Sequence, residues 1–326
     1  MTGSWRALRR RILTPSHSAT RLSTRGFHEK SPAARQLLET VGETFLTGYA
    51  YAVEARTGAE AETRLERIPR QFRGFAYEGA GMGCAMLDGL PFGTGGKVED
   101  LLHGRGSRHH YMVNVGVGWA MARLPRFRWS AVAPADPLLR WLALDGYGFH
   151  QAYFQTRKYV HEQYQVPGFP WPADGPPGYS LRVIDQGIGR ASWFVGGAEP
   201  DVVADLFDRF PASRRADLYA GAGLAASYAG GGDEADLEAF WKRAGQYRPQ
   251  VAQGAAFAVT ARVEADLVVP HTEVAARFFC GLGAEQVARL CDEARPDPVE
   301  DGEVPAYEVW RRRVAEQVVE VREARA

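Results

Sequence analysis

Apolar residues recur at helical spacing along most of the chain. Ser31-Pro32 is a typical helix start, because serine caps the first turn and proline at the first helical position costs no hydrogen bond. The residues that follow keep one face apolar, which predicts a long helix to about Thr57. The same spacing predicts helices over residues 199–210 and 237–247, and a charged amphipathic helix from Ala306 to Arg325. These patterns predict an all-α protein made of packed helical hairpins.

Four segments combine helical spacing with many glycines and alanines. They are residues 73–87, 115–122, 219–226 and 253–258. Each glycine lowers helix propensity by roughly 1 kcal/mol relative to alanine, so helices of this composition need compensation from tertiary contacts. Small residues on one face let a second helix approach closely, as is best known for helices in membranes. We therefore expect small-residue-rich interfaces between helices.

Two of these segments resemble each other. Residues 75–81 and residues 217–223 both place an aromatic side chain two positions before Gly-Ala-Gly. The similarity indicates two pseudo-similar halves in a repeated helical array, and chance similarity between glycine-alanine segments is the alternative. Proline recurs too often in residues 166–178 for a regular helix or a central strand, so this stretch is expected to join the halves as a loop.

This organisation divides the chain into five parts. The predicted parts are a basic N-terminal arm at 1–30, an N-terminal helical half at 31–165, a proline-rich connecting loop at 166–180, a C-terminal helical half at 181–295 and a C-terminal amphipathic helix at 296–326. The arm contains a short basic stretch, residues 5–13, with amphipathic spacing. This stretch either contacts a membrane surface or a partner protein, or packs along the body of the protein.

Composition and charge exclude several kinds of partner. The 39 basic and 39 acidic residues cancel, so no global field draws the chain to nucleic acid. No run of about 18 apolar residues occurs, so no transmembrane segment is expected. The three cysteines, Cys84, Cys280 and Cys291, are far apart and form no CxxC pair. This usage is typical of reduced thiols in a cytoplasmic protein.

Three further motifs accompany the small-residue segments. They are Leu144–His150, Asp185–Arg190 and Pro270–Thr272. Together with those segments they resemble an uncharacterised-domain family that is encoded in actinobacterial enediyne biosynthetic cassettes, over about residues 8–294. The resemblance implies work on, or assembly around, the linear polyene that enediyne polyketide synthases release. The expected partners are therefore a hydrophobic polyene and other proteins of the cassette. No catalytic set comes with the resemblance.

No cofactor motif is complete. Residues 93–98 lack the hydroxyl residue and the leading glycine of a phosphate-binding loop. The patterns that begin at Gly116 and Gly187 lack the third glycine of a dinucleotide fingerprint. His109 and His110 are adjacent and so point to different faces, and a metal site would need ligands from elsewhere. We expect neither a cofactor nor a metal.

Asp145 and His150 are the first candidates for proton transfer. They share a glycine-rich aromatic stretch. In a cavity they would suit general acid and base roles, because burial raises the pKa of a carboxyl and histidine titrates near neutrality. A buried Asp145 needs a partner, which His150 or Arg140 would supply. A satisfied structural network is the alternative.

Asp185 and His110 are further catalytic candidates. Asp185 is expected either to transfer protons or to form an ion pair with Arg190 that holds the second half together. His110 lies in a basic stretch, residues 103–111, which either binds an anion or forms a solvated loop.

Six residues are candidates for substrate contact. They are Tyr147, Phe149, Arg190, Trp193, Tyr77 and His271. Aromatic side chains of this kind would line a long apolar tunnel, although they more often form the core. His271 lies near a helix start, where a neutral imidazole is favoured and suits a hydrogen-bond relay or a simple turn.

Two functions are compatible with these observations. The first is a cofactor-independent cyclase or isomerase that acts on a long polyene. The second is a non-catalytic polyene-binding or scaffold protein. If the protein is an enzyme, we expect a buried acid with a raised pKa beside a ligand-sized void. If it is a scaffold, we expect satisfied polar pairs, no void and an exposed apolar patch.

Overall fold

The protein is mainly helical, and its computed structural model describes residues 3–91, 95–171, 176 and 178–324. No strand is present in these ranges, so the predicted all-α class is confirmed. The α-helices are α1 Gly3–Leu13, α2 Leu22–Arg25, α3 Pro32–Glu54, α4 Gly58–Leu65, α5 Arg70–Gly89, α6 Lys97–His103, α7 His110–Met121, α8 Leu142–Phe154, α9 Tyr179–Val195, α10 Pro200–Asp208, α11 Ala212–Tyr228, α12 Glu234–Ala244, α13 Arg248–Glu264, α14 Pro270–Ala275, α15 Ala284–Glu293 and α16 Ala306–Glu323.

Seven of these helices pack against one another in chain order. They are α3, α5, α7, α8, α9, α11 and α13, and we call them the inner helices. Each neighbouring pair meets at two glycines, one from each helix. The pairs are Gly48–Gly79, Gly81–Gly116, Gly118–Gly146, Gly148–Gly187, Gly189–Gly221 and Gly223–Gly254. A Cβ atom at any of these glycines would lie 1.8–2.5 Å from a backbone carbonyl oxygen of the facing helix. The inner helices therefore contact each other backbone to backbone, as the small-residue segments predicted.

A Gly-x-Gly motif explains how one helix contacts two neighbours. Residues two apart on an α-helix are separated by about 200° around its axis, so they point to nearly opposite sides. In α7, Gly116 faces α5 and Gly118 faces α8. The motif recurs in α5, α8, α9 and α11. The similarity between residues 75–81 and 217–223 thus belongs to five consecutive inner helices, and the division into two halves stays a prediction.

Short helices return the chain between inner helices. Ion pairs between α9 and α11 show the relative direction of these two inner helices. Arg182 Nε lies 2.9 Å from Asp217 Oδ2, and Arg214 Nη2 lies 2.5 Å from Asp185 Oδ1. All four residues belong to the first two turns of their helices, so α9 and α11 run in the same direction.

The last helix, α16, belongs to the same core. Arg311 bridges Asp217 of α11, at 2.9 Å, and Glu308 of its own helix, at 3.2 Å. Arg182 of α9 also contacts Glu308, at 2.9 Å. Asp217, Glu308 and Arg311 are buried and mutually paired, which is the condition under which the burial of charge is tolerated. They fix α16 against the inner helices and bring Trp310 inside.

The helix boundaries follow the sequence signals closely. The Ser31 side chain accepts a hydrogen bond from the backbone amide of Ala34, so α3 begins as predicted. The helices predicted near 199–210, 237–247 and 306–325 correspond to α10, α12 and α16. Residues 166–171 form no helix, and the remainder of the predicted proline-rich loop lies mostly outside the described residues, at 172–175 and 177.

The basic stretch at the N-terminus forms α1, which packs on α3. Arg6 donates to Glu60 at 3.0 Å and Arg10 donates to Glu54 at 3.1 Å, so the polar side faces the body. The opposite side is apolar and points to solvent, with the exposed residues Trp5, Leu8 and Ile12. None of the helices within the described ranges has the length and apolar character needed to cross a bilayer. The three cysteines are buried and unpaired with one another.

Candidate active site

The inner helices enclose one apolar cavity. Every inner helix contributes to its wall, and α16 adds Trp310. Aromatic side chains dominate the wall, among them Phe45, Trp119, Phe149, Tyr153, Phe154 and Phe194. The centre of a water molecule can occupy about 90 Å³ of the cavity, and all non-atom space between the lining residues, including the opening, is about 1100 Å³. The interior is therefore narrow, and it suits a slender ligand rather than a bulky one.

Three charged residues meet at the cavity wall. Arg190 of α9 donates through Nη1 to Asp145 Oδ1 of α8, and its Nη2 lies 3.3 Å from Glu78 Oε1 of α5. The indole nitrogen of Trp119 also donates to Glu78 Oε1, at 3.1 Å. We call Glu78, Asp145 and Arg190 the acid cluster. Among the lining residues that the structure describes, no others carry a charge.

The residues of the acid cluster lie next to close glycine contacts between helices. Glu78 precedes Gly79 and Arg190 follows Gly189, while the carbonyl of Asp145 lies against Gly187. Side chains near such close contacts cannot reach bulk solvent, and the three residues are 0–7% exposed. The same small residues that pack the helices therefore bury the acid cluster.

Burial raises the pKa of both carboxyls, and the neighbouring Arg190 opposes that rise. Burial also disfavours the charged guanidinium, but the two carboxylates more than offset this and raise the pKa of Arg190. One cation balances one carboxylate, and a second ionised carboxylate would leave an uncompensated charge in an apolar cavity. We therefore expect the two carboxyls to hold one proton between them near neutral pH.

One carboxylate oxygen of the acid cluster lacks a close hydrogen-bond donor. Asp145 Oδ2 is buried and receives no hydrogen bond within the described residues, although a polar interaction with Gln186 favours the ionised form. An unsatisfied buried oxygen at a cavity wall is costly unless a ligand or a proton compensates it. The cluster thus brings two carboxyl groups and a guanidinium together at the cavity wall.

A second cavity adjoins the first. Its wall includes Arg262 of α13, His271 of α14 and the loop residues 230–232, and it shares Phe75 and Tyr228 with the first cavity. The centre of a water molecule can occupy about 370 Å³ of it. We call the first the acid cavity and the second the outer cavity.

Three of the ten candidate residues line the acid cavity, and two expected pairings are wrong. Asp145, Phe149 and Arg190 are in its wall. The partner of Asp145 is Arg190, and not His150 or Arg140. Residues five apart on a helix differ by about 140°, so Asp145 and His150 point to different sides of α8. Arg140 instead pairs with Asp301.

Asp185 and Arg190 do not pair. The Asp185 carboxylate receives two hydrogen bonds from Arg214, at 2.9 and 2.5 Å. Burial raises the pKa of Asp185 to about 6, against the opposing effect of Arg214. Because Asp185 lies four residues before Gly189, it faces α11, whereas Arg190 faces the acid cavity. Its proposed role in proton transfer stays a prediction.

The two histidine candidates for catalysis lie outside the acid cavity wall. His150 packs against Trp119 and Phe154, with ring centroids 5.6 and 4.8 Å apart, and burial lowers its pKa to about 4. The Nδ1 atom of His110 lies 2.8 Å from the backbone carbonyl oxygen of Ser107, to which a protonated Nδ1 donates, and its Nε2 lies 3.4 Å from Glu264.

The remaining aromatic candidates pack on other faces. The Tyr77 hydroxyl donates to Glu66 at 2.8 Å. Tyr147 accepts from Gln151 at 3.0 Å, and Trp193 donates to Gly230 O at 2.8 Å. His271 lines the outer cavity, and its Nε2 lies 2.7 Å from Ala226 O.

Sequence reasoning missed Glu78, Trp119 and Arg262. For Glu78 a signal exists, since it is the one charged residue between Gly74 and Leu87 in an otherwise small and apolar helix. A lone charge in such a segment requires a buried partner. The identity of that partner depends on tertiary structure, because Arg190 is 112 residues away.

A protein-family model matches the chain. The family model described as "Protein of unknown function (DUF1702)" covers residues 4–318. The chain belongs to the DUF1702 family. An uncharacterised-domain family was expected, and the DUF1702 match confirms it over almost the whole chain. No curated protein and no solved structure matches this DUF1702 chain. In the described part of the chain, no three His, Cys, Asp or Glu side chains are grouped as metal ligands.

Proposed function

We propose that this protein is an enediyne biosynthesis enzyme, a cofactor-independent isomerase or cyclase of a long conjugated polyene. The observation that carries the proposal is the acid cluster in the wall of an aromatic cavity. The enediyne context comes from the sequence resemblance. A buried acid with a raised pKa beside a ligand-sized void is what distinguishes an enzyme from a scaffold.

The cavity suits a thin, apolar chain. Its walls are almost wholly apolar, so burial of a hydrocarbon is favoured at about 25 cal/mol per Å² of apolar surface. Aromatic faces from α3, α7, α8 and α9 surround the space. A conjugated polyene is long, flat and narrow, which matches an interior too slender for a bulky ligand.

The acid cluster supports a proton-in, proton-out reaction. The protonated carboxyl gives its proton to one carbon of the polyene and leaves a delocalised cation. Aromatic faces stabilise such a cation, and so does the carboxylate that remains. In an isomerase, another carbon then loses a proton to the other carboxylate, which shifts a double bond. In a cyclase, a second double bond first attacks the cation and closes a ring, and the proton is lost to the other carboxylate afterwards. The product has the mass of the substrate, and no oxidant or reductant is needed. Arg190 positions both carboxyls and keeps one ionised.

A non-catalytic role as a polyene carrier or as a scaffold for cassette proteins is the second candidate. One feature favours it. Trp5, Leu8 and Ile12 form an exposed apolar face on α1, with exposures of 51%, 45% and 68%. Such a face is typical of a surface that contacts another protein or a membrane.

Removal of either acid is expected to slow turnover strongly while binding persists. A conjugated heptaene would be incubated with the protein, and its absorption bands and the product mass followed over time. Asp145→Asn and Glu78→Gln should each slow the change by about 100-fold or more, since general acid–base catalysis contributes 10²–10⁴-fold. The rate should fall with pH above the pKa of the protonated carboxyl.

Asp88→Asn is the matched control. Asp88 is another buried carboxylate of α5, but it caps α6 through Lys97 and Val98 and does not line the cavity. Its removal should leave the rate per folded molecule unchanged. Saturable binding with unchanged absorption bands in the natural protein would instead favour the carrier.

A further inference from the structure

Arg262 is a buried cation that pairs with no carboxylate of the described residues. It is 3% exposed and lies in the wall of the outer cavity. Its hydrogen bonds go to backbone carbonyls: Nη2 to Tyr228 at 2.7 Å, and Nη1 to Gln71 at 3.1 Å and to Leu267 at 3.4 Å. Nε is buried and has no hydrogen-bond partner in the part of the chain that the structure describes. Burial lowers the pKa of Arg262, as expected for a cation that no anion balances.

Arg262 differs in this respect from the other buried arginines. Arg190, Arg214 and Arg311 each contact at least one carboxylate. An isolated buried charge costs several kcal/mol, so proteins normally pair it. The Tyr228 ring, 4.2 Å from the guanidinium carbon, compensates only part of this cost. The guanidinium is therefore the one strongly anion-seeking group on the wall of the outer cavity.

The loop beside Arg262 offers backbone donors. Gly230 and Gly231 have φ values of +76° and +95°, a conformation that favours glycine, and residues 230–232 line the outer cavity. The amides of Gly231 and Gly232 form no hydrogen bond within the described residues. Successive free amides in a turn favour an anion. His271 stands at the same wall, and its imidazole is held neutral because burial lowers its pKa.

The outer cavity borders the acid cavity. Phe75, Tyr228 and Ala229 line both, so these residues form a shared wall. A ligand that passes between them would occupy both cavities. Its apolar part would lie among the aromatic side chains of the acid cavity. Its end would then lie beside Arg262.

We propose that the outer cavity binds the carboxylate head of a long-chain unsaturated acid whose tail occupies the acid cavity. The inference rests on the proposed function for the tail, and it adds the chemical class of the head. A guanidinium and a carboxylate match in geometry, because planar N–H groups meet two oxygens. The head also fixes how far the tail enters, and so which carbon meets the acid cluster.

The test compares parinaric acid, a conjugated tetraene fatty acid, with its methyl ester. Both probes become fluorescent in an apolar site, but only the acid carries a negative charge when the pH is above the pKa of its carboxyl. At pH about 8 the acid should bind at least about 10-fold more tightly than the ester, which corresponds to 1.4 kcal/mol. Arg262→Gln should reduce acid affinity to that of the ester and leave ester affinity unchanged. Ester binding thus reports that the variant is folded.

Arg248→Gln is the matched control, since Arg248 begins the same helix but stacks on Trp241 away from both cavities. Arg262→Lys keeps the positive charge but lacks the planar guanidinium group. Its affinity for the acid should lie between that of the natural protein and that of Arg262→Gln. Equal affinity for acid and ester in the natural protein would overturn the head-group site and leave the proposed function standing. Binding of neither probe would overturn both.

Discussion

Gly118→Ala is expected to lower the free energy of unfolding by about 3 kcal/mol or more. A Cβ at Gly118 would lie 1.8 Å from the carbonyl oxygen of Ala143. A carbon and an oxygen normally stay about 3.3 Å apart, so α7 and α8 would have to separate by about 1.5 Å. The gain in helix propensity, about 1 kcal/mol, is too small to compensate. Urea denaturation monitored by circular dichroism measures the change.

Gly302→Ala is the control for this prediction. Gly302 has no heavy atom within 4 Å of the position that its Cβ would take, and its φ is not in the left-handed region. Its stability should change by less than about 0.5 kcal/mol. A Gly118→Ala protein as stable as the control would show that the helices are not in backbone contact, and would contradict the architecture described above.

Arg190→Met is expected to destabilise the protein by about 3–5 kcal/mol at neutral pH, because removing one partner of a buried ion cluster leaves uncompensated charge. Glu78 and Asp145 would then face an apolar cavity without a cation. The loss should depend on pH. Burial already holds the pKa of both carboxyls above the ordinary range in the folded protein, and Arg190 opposes that effect. Without Arg190 the folded-state pKa values rise further.

The direction in which stability changes with pH follows from proton linkage. A carboxyl whose pKa is raised by folding stays protonated in the folded state while the unfolded chain ionises. Stability is therefore greatest below the ordinary carboxyl pKa of about 4 and falls as pH rises toward the folded-state value. In urea denaturation, the free energy of unfolding of Arg190→Met should be closer to that of the natural protein at about pH 5 than at about pH 8.

Arg243→Met provides the comparison at the surface. Arg243 contacts Asp201 and Asp205 at 2.7 Å and Asp208 at 3.1 Å, in a partly exposed network. Solvent screens such pairs, so the loss should be below about 1 kcal/mol and should not diminish in the same way toward low pH. Similar losses for the two variants at both pH values would show that the acid cluster is not electrostatically isolated.

The helices themselves could be predicted from sequence because their signals are local. Ser31 and Pro32 mark the start of α3, and proline or charge patterns mark α10 and α16. The need for close packing was also readable from glycine content. The Gly-x-Gly motif is visible in the sequence at Gly116 and Gly187, but there it resembles only an incomplete dinucleotide-binding fingerprint. Its meaning depends on the 200° separation within a helix and on which helices are neighbours.

The site could be predicted only in part, because its contacts join distant segments. Asp145 is predictable from its chemistry, but its partner Arg190 is 45 residues away, and the sequence favours a pair between Arg190 and Asp185. Pairing within a motif is the simplest guess from sequence. Helix geometry instead sends Asp185 toward α11 and Arg190 toward the acid cavity. Arg262 gave no signal at all, since a lone arginine at a helix end is usually solvated.

The most direct test is whether a neutral conjugated chain binds inside the acid cavity. Methyl parinarate would be titrated into the natural protein and into Ala258→Phe, in which a larger side chain fills the cavity from α13. Energy transfer from tryptophan, with Trp119 and Trp310 in the wall, reports occupancy. The account predicts one saturable site per chain in the natural protein and its loss in the filled variant, with the unfolding transition of that variant retained. Equal binding by both proteins, or none by the natural protein, would contradict it.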